Sequence, residues 1–178
     1  LPFSFPAKLT DCGAHAFDEL SYPGDSIKQE YKEDILVGYR WHDTKKIPAL
    51  FPFGHGLSYT TFTYGKPVAS AKAMAADGTL TVTVAVKNTG SIAGKEIVQL
   101  YVGDDKCSVL RPVKELKHFA KVGLAPGEEK SVTFTLTPDD LKFYDEASAA
   151  WKYEPGKFKA YVCASSADVR GVVSFEMQ

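Results

Sequence analysis

Residues 80–86 read Leu-Thr-Val-Thr-Val-Ala-Val and alternate between large apolar side chains and smaller or polar ones. Successive side chains of a β-strand point to opposite faces, so the leucine and the three valines share one face and the threonines lie on the other. The turn-forming residues Asn88-Thr89-Gly90 follow directly. The stretch therefore predicts a half-buried strand that ends in a turn.

The same alternation recurs toward the C-terminus, interrupted by Pro-Gly turn signals at residues 126–127 and 155–156. It predicts further strands at residues 64–69, 97–102, 116–122, 132–136, 158–162 and 172–175. One helical turn is expected at residues 137–141, where threonine precedes proline and two aspartates. About seven short strands with turns between them are typical of an antiparallel, immunoglobulin-like β-sandwich. We therefore predict an all-β fold.

The first 60 residues do not show this alternating pattern. The prolines of residues 1–6 exclude a helix and suggest the end of a strand, and residues 7–30 lack any periodicity and indicate a long surface loop. A strand is predicted at Ile35–Trp41. Because a lone strand cannot bury its faces, we expect this irregular extension to be the remnant of a larger domain.

Residues 51–62, which we call the junction, join the two regions and read Phe-Pro-Phe-Gly-His-Gly-Leu-Ser-Tyr-Thr-Thr-Phe. Four aromatic residues, two glycines and a proline fit neither a regular helix nor an exposed linker, which would be polar. Gly54 and Gly56 would allow a tight backbone. We expect apolar surface to cover this stretch and anchor it on both sides.

Composition excludes several classes of function. The 178 residues are 24% charged and 44% hydrophobic, with a formal net charge of -1, as in an ordinary globular protein. This balance offers no electrostatic attraction for nucleic acid, and the apolar runs are far shorter than the roughly 20 residues that span a bilayer. Because the chain begins at Leu1 and not at Met, we expect an upstream part in which any targeting segment would lie.

No pattern of reactive side chains indicates chemistry. The three cysteines, Cys12, Cys107 and Cys163, are widely spaced and predict buried free thiols, not a disulfide framework or a zinc site. The four histidines lack metal-ligand spacing, and the acid pairs, such as Asp104-Asp105, lie beside turns. Nucleophile and phosphate-binding motifs are missing as well. From the residues alone we assign no catalytic residue, no metal site and no cofactor.

Several segments nevertheless resemble the C-terminal third of family 3 glycoside hydrolases, the β-glucosidase and β-xylosidase group. Residues 31–41 and 50–59 resemble the family's sequence before and within the junction. Residues 1–6 resemble the last strand region of the preceding α/β sandwich domain. The segments that resemble the family's fibronectin type III-like domain are 98–102, 111–117, 124–128, 143–145 and 155–158. The resemblance implies two parts: residues 1–61, a remnant of the α/β sandwich domain plus a linker, and residues 62–178, a fibronectin type III-like domain.

The resemblance also implies what is absent. In that family the aspartate nucleophile lies in an N-terminal barrel domain and the acid/base glutamate in the α/β sandwich domain, both outside this chain. No position, including Glu33 and Asp34, matches the catalytic motifs. The chain is therefore expected to be the inactive C-terminal portion of an exo-acting β-glycosidase, bracing its barrel and α/β sandwich domains. A periplasmic or secreted location is what the resemblance favours.

Two sets of aromatic residues are candidates for binding. Interdomain packing is predicted for Tyr39, Trp41, Phe51, Phe53 and Tyr59, with an internal core of residues 1–60 as the alternative.

The second set belongs to a different hypothesis, an independent carbohydrate-binding or protein-interaction module. Trp151, Tyr153 and Tyr161 would form a platform for a β-linked oligosaccharide, although Trp151 could equally cap the sandwich core. Arg111 and Glu115 are expected to help fix the strand crossing near the interdomain contact.

Overall fold

The first 61 residues of the computed structural model, which describes all 178 residues, contain little regular structure. Strand β1 (Phe5–Pro6) pairs antiparallel with β2 (Ala49–Phe51), and helix α1 (Tyr39–Lys45) precedes β2. Two 3-10 turns, Leu9–Asp11 and Gly13–His15, interrupt the predicted loop. The β1–β2 pair brings the two ends of this segment together.

The strand predicted at Ile35–Trp41 is wrong, because helix α1 begins within it. Gly38, at the helix N-terminus, has φ +60°, a left-handed conformation that interrupts an extended chain. In a strand, Tyr39 and Trp41 would lie on the same face. In the helix they point to different sides, which lets each ring be covered by a different part of the protein. Tertiary burial therefore overrides the strand preference of these aromatic residues.

Residues 62–178 contain eleven further strands. Their bounds are β3 (Phe62–Tyr64), β4 (Val68–Ala69), β5 (Ala73–Met74), β6 (Leu80–Asn88), β7 (Gly94–Asp104), β8 (Glu115–Leu124), β9 (Glu129–Leu136), β10 (Phe143–Asp145), β11 (Ala150–Lys152), β12 (Gly156–Cys163) and β13 (Val169–Met177). One sheet has the order β5–β13–β12–β7–β8 and is antiparallel except for the β5–β13 pair. In the other, β6 lies between β9 and the short strands β3 and β4. The predicted all-β sandwich is confirmed.

The long strands agree with the alternating sequence. Strands β6, β7, β8, β9, β12 and β13 confirm six predicted strands, and the predicted helical turn is the 3-10 helix Pro138–Leu141. The prediction for residues 64–69 is wrong in detail, since the segment is divided between β3 and β4. Pro67 lies between these two strands and has no N–H to donate to a ladder.

The core lies between the two sheets. The leucine and three valines of residues 80–86 are buried there, together with alternate residues of β7, β9 and β12. Strand β7 differs from the others because residues 98–103 are all buried. Its second face, which carries Gln99 and Tyr101, is covered by residues of the first 61. None of the helices has the length and apolar character needed to cross a membrane.

Candidate functional site

Three aromatic rings join the N-terminal segment to the outer face of the five-stranded sheet. Tyr39, the first residue of α1, has its ring centroid 5.5 Å from that of Tyr101, edge to face, and 5.1 Å from that of Phe53. The Tyr39 hydroxyl accepts a hydrogen bond from the Leu116 N–H at 2.8 Å. Tyr39 is thus held by both the junction and the sandwich. We call this contact surface the helix–sheet interface.

Buried polar groups of the helix–sheet interface satisfy one another. The Tyr101 hydroxyl donates to Gln99 Oε1 at 2.6 Å, and Gln99 Nε2 donates to the Ala164 carbonyl at 2.9 Å. The Ser166 N–H donates to the Phe53 carbonyl at 2.8 Å. Burial raises the pKa of Tyr101, so this phenol stays a hydrogen-bond donor.

Gly54 allows the close approach of the junction to β7. Its φ is +80°, and a Cβ atom built on it would lie 2.4 Å from Gln99 Nε2. A side chain would therefore meet both an unfavourable backbone conformation and the buried amide of Gln99. Gly56, two residues later, has open space around its Cα. Of the two glycines singled out in the sequence, only Gly54 is required by this packing.

A salt bridge and a hydrogen bond extend the helix–sheet interface along α1. Lys114 Nζ lies 2.5 Å from Asp43 Oδ2, with both side chains largely buried, and 5.5 Å from the centroid of the Tyr101 ring. The Val113 N–H donates to Thr44 Oγ1 at 3.1 Å. One face of α1 is therefore pinned to the start of β8 and the loop before it.

Three cationic side chains from different elements lie close to the Glu115 carboxylate. Arg40 of α1 approaches it at 3.3 Å, Arg111 of the β7–β8 loop at 3.1 Å and Lys117 of β8 at 3.5 Å. Burial raises the pKa of Glu115, but these cations outweigh it and hold the pKa below the ordinary 4.5. The expected Arg111–Glu115 pair lies at the contact between the N-terminal segment and the sandwich.

The five aromatic residues considered for interdomain packing have different surroundings. Tyr39 and Phe53 pack against the sandwich, as described above. Trp41 is buried within the N-terminal segment, where its indole N–H donates to the Asp11 carbonyl at 3.0 Å and its ring lies 5.8 Å from Phe17.

The other two are more exposed. Phe51 is 43% exposed, with its ring 6.1 Å from Phe5 and 5.4 Å from His55. Tyr59 is 97% exposed.

The three residues of the suggested sugar platform are not gathered into one surface. Trp151 is 65% exposed and packs edge-on against Tyr144 at 5.7 Å, across the β10–β11 hairpin. Tyr153 packs against the sandwich core, and Tyr161 lies opposite Tyr101 in the sheet register. The partner of Trp151 is therefore Tyr144, which the sequence reasoning missed. The sequence feature that could have identified Tyr144 is the short β-hairpin of residues 143–152, in which Tyr144 lies opposite Trp151.

A cleft of about 830 Å³ lies beside this aromatic pair. Its lining includes Arg40 and Glu115, the loop residues 109–112, and the aromatic pair Tyr144 and Trp151. Its volume is within the range of small-molecule pockets, and it combines aromatic rings with charged groups. The cleft therefore has the chemical groups to bind a polar ligand with an apolar face.

Comparisons with known proteins agree with this architecture. Residues 96–166 match the model of the fibronectin type III-like domain. The chain is 67% identical, over 99% of its length, to the β-glucosidase BoGH3A of Bacteroides ovatus, and 49% identical, over 93% of its length, to thermostable β-glucosidase B of Acetivibrio thermocellus. It spans only 24% and 22% of those two proteins.

Solved structures of β-glucosidases also match nearly the whole chain. The β-glucosidase DesR from Streptomyces venezuelae, crystallised with D-glucose, matches 99% of the chain with a TM-score of 0.88 and 40% identity. A GH3 β-glucosidase from Bifidobacterium adolescentis matches 98% of the chain with a TM-score of 0.88 and 33% identity. The chain covers 22% and 25% of those structures.

Replacing Gly54 by alanine tests the close approach of the junction to β7. We expect Gly54→Ala to lower the free energy of unfolding by about 1–2 kcal/mol through the left-handed backbone, with about 1–3 kcal/mol more from overlap with Gln99. Gly56→Ala is the matched control and should change it by less than about 0.5 kcal/mol. Urea denaturation measures both, and equal losses would contradict the assigned role of Gly54.

Glu115→Gln tests the charge cluster through its pH dependence. A lowered folded-state pKa contributes stability that is present above the unfolded value near 4.5 and is lost as the pH falls through the folded-state value. At pH 7 the variant should lose about 1.5–3 kcal/mol, and the difference from the parent chain should shrink below pH 4.5. Denaturation curves across pH should show no such trend for Glu19→Gln, an exposed loop glutamate.

Proposed function

The chain corresponds to the C-terminal, fibronectin type III-like part of the family 3 β-glucosidases, and from this premise we propose that it braces the catalytic domains of an exo-acting β-glycosidase. The observation that carries the proposal is the pair of surfaces on the N-terminal segment. One surface is fixed to the sandwich through Tyr39, Phe53 and Asp43. The other remains apolar and exposed.

The exposed surface is large for so short a segment. Of the 25 large hydrophobic side chains that are exposed in the whole chain, 14 lie in the first 60 residues. They include Leu1, Phe3 and Phe5 at the chain start, and Leu50 and Phe51 on the paired strand β2. Contiguous exposed apolar surface marks an interaction site. Its occupant in the proposal is the rest of the parent glycosidase, namely its N-terminal barrel and α/β sandwich domains.

The proposed division of the chain follows from these contacts. Residues 1–61 would be the last part of the α/β sandwich domain plus the linker, and residues 62–178 the fibronectin type III-like domain. The helix–sheet interface would then transmit the rigidity of the sandwich to the α/β domain. Catalysis would belong to the aspartate nucleophile and the acid/base glutamate, which the family resemblance puts in domains outside this chain.

Separate expression of this chain and of the upstream remainder of its parent protein tests the bracing role. We expect no hydrolysis of aryl β-glucosides by the chain alone, and association of the two parts in calorimetry with a higher melting temperature of the remainder. Phe3→Asp and Phe51→Asp should weaken association at least about tenfold, because each places a charge in an apolar contact. Phe119→Asp, on the sandwich strand β8, is the matched control, since Phe119 is also exposed.

Two outcomes would contradict the proposal. One is turnover by the mass-verified chain alone. The other is no association of the two parts, or association that the substitutions at Phe3 and Phe51 leave unchanged. Circular dichroism of each variant would establish that its fold is intact.

A second candidate function rests on the exposed indole of Trp151 at the 830 Å³ cleft. An aromatic face beside Arg40 and Glu115 would suit a β-linked oligosaccharide, whose ring faces are apolar and whose hydroxyls form hydrogen bonds. Titration with gluco- and xylo-oligosaccharides should give saturable heats that Trp151→Ala abolishes. Tyr59→Ala, which removes an exposed ring outside the cleft, should leave them unchanged. Silent titrations would reject this function.

A further inference from the structure

Three potential metal ligands meet where the end of β7 lies beside the start of β12. Asp104 is the last residue of β7, Cys107 lies in the loop that follows, and Glu154 precedes β12. The Cys107 sulfur and one carboxylate oxygen of each acid all lie within 4.8 Å of one another. We call these residues the Asp-Cys-Glu cluster.

The Asp104 carboxylate is buried and only partly satisfied. Its side chain is 3% exposed, and its Oδ1 accepts a hydrogen bond from the Lys106 N–H at 3.0 Å. Its Oδ2 accepts none. Burying such an oxygen without a donor or a cation costs free energy, so native structures rarely leave one unpaired.

The neighbouring cation does not fill this role. Arg111 Nη1 is 3.6 Å from Asp104 Oδ2, too far for a hydrogen bond. The guanidinium donates instead to the Leu141 carbonyl at 2.9 Å and to Glu115 Oε2 at 3.1 Å. Arg111 thus lowers the electrostatic cost of burying Asp104 without occupying its second oxygen.

The other acid of the cluster is already oriented. Glu154 Oε2 accepts the Ser108 N–H at 3.0 Å, and Oε1 accepts the Ser108 hydroxyl proton. Hydrogen bonds of this kind fix ligating carboxylates in metal sites. Because Ser108 follows Cys107 in the chain, they also hold the cysteine beside Glu154.

We propose that the Asp-Cys-Glu cluster binds a divalent zinc ion through the Cys107 thiolate and the carboxylates of Asp104 and Glu154. Zinc takes sulfur and carboxylate ligands in a tetrahedral arrangement, in which neighbouring ligand atoms are about 3.5 Å apart. The three ligand atoms lie within 4.8 Å of one another, and small adjustments of the two carboxylate side chains and of the loop that carries Cys107 would bring them to that spacing. Binding releases the thiol proton to solvent, and the fourth position is open to water.

The charges of the site favour a dication. Two carboxylates and a thiolate carry three negative charges, which the ion and the nearby Arg111 together balance. An occupied site would tie the loop to the start of β12. That loop also carries Val109 and Leu110, which line the cleft beside Trp151. Zinc would therefore also fix one wall of the cleft.

Cobalt substitution of the full chain tests the proposal. Addition of Co²⁺ to the reduced protein should give a thiolate-to-cobalt charge-transfer band. Zn²⁺ should displace the cobalt and remove the band. Cys107→Ser should abolish the band and weaken Zn²⁺ binding in calorimetry at least about tenfold, as should Glu154→Gln. Cys12→Ser is the matched control because Cys12 is likewise a half-buried free cysteine, and it should leave both measurements unchanged.

A measurement on the unsubstituted chain covers the case of a variant that does not fold. Zn²⁺ should slow alkylation of Cys107, followed by mass spectrometry, while the rate at Cys12 stays constant. Any one of three results would overturn the proposal. Cobalt could bind without producing the thiolate band, Cys107→Ser could leave the Zn²⁺ affinity unchanged, or Zn²⁺ could leave the alkylation rate of Cys107 unchanged.

Discussion

The packing of Tyr39 against Tyr101 fixes the N-terminal segment on the outer face of the sandwich. Strand β7 is buried on both faces from residue 98 to residue 103, which an ordinary half-solvated antiparallel sheet does not require. The second face must therefore have a cover. Helix α1 and the junction at Phe53 and Gly54 provide it, and every polar group they bury there, from the Tyr101 hydroxyl to the amide of Gln99, has a partner.

This cover gives a defined position to the N-terminal segment, whose own buried large apolar side chains are Leu36 and Trp41. The N-terminal segment also exposes the apolar side chains of Leu1, Phe3, Phe5 and Phe51. A segment with so few regular elements would gain little stability alone. Its contacts join one apolar surface to a rigid sheet, and this is the physical basis of the proposed bracing role.

Arg111 connects the remaining features of the molecule. Its guanidinium contacts Glu115 beside the helix–sheet interface, lies over the ring of Phe143 at 5.7 Å and approaches Asp104 in the Asp-Cys-Glu cluster. The β7–β8 loop therefore links the interface, the cleft and the cluster through one side chain. A change of loop conformation at Cys107 would alter the surroundings of Trp151, because the same loop carries Val109 and Leu110, which line the cleft beside Trp151.

The sequence by itself determined the sandwich, since an alternation such as that of residues 80–86 is a local property that reports which face of a strand is buried. It could not determine what covers the other face of β7, because that face is buried by residues about 50 positions away. For the same reason the helix at Tyr39–Lys45 was mistaken for a strand, and Tyr144 was missed as the neighbour of Trp151. Cys107 and Glu154 likewise meet only because β7 pairs with β12, so their proximity was decided by tertiary structure alone.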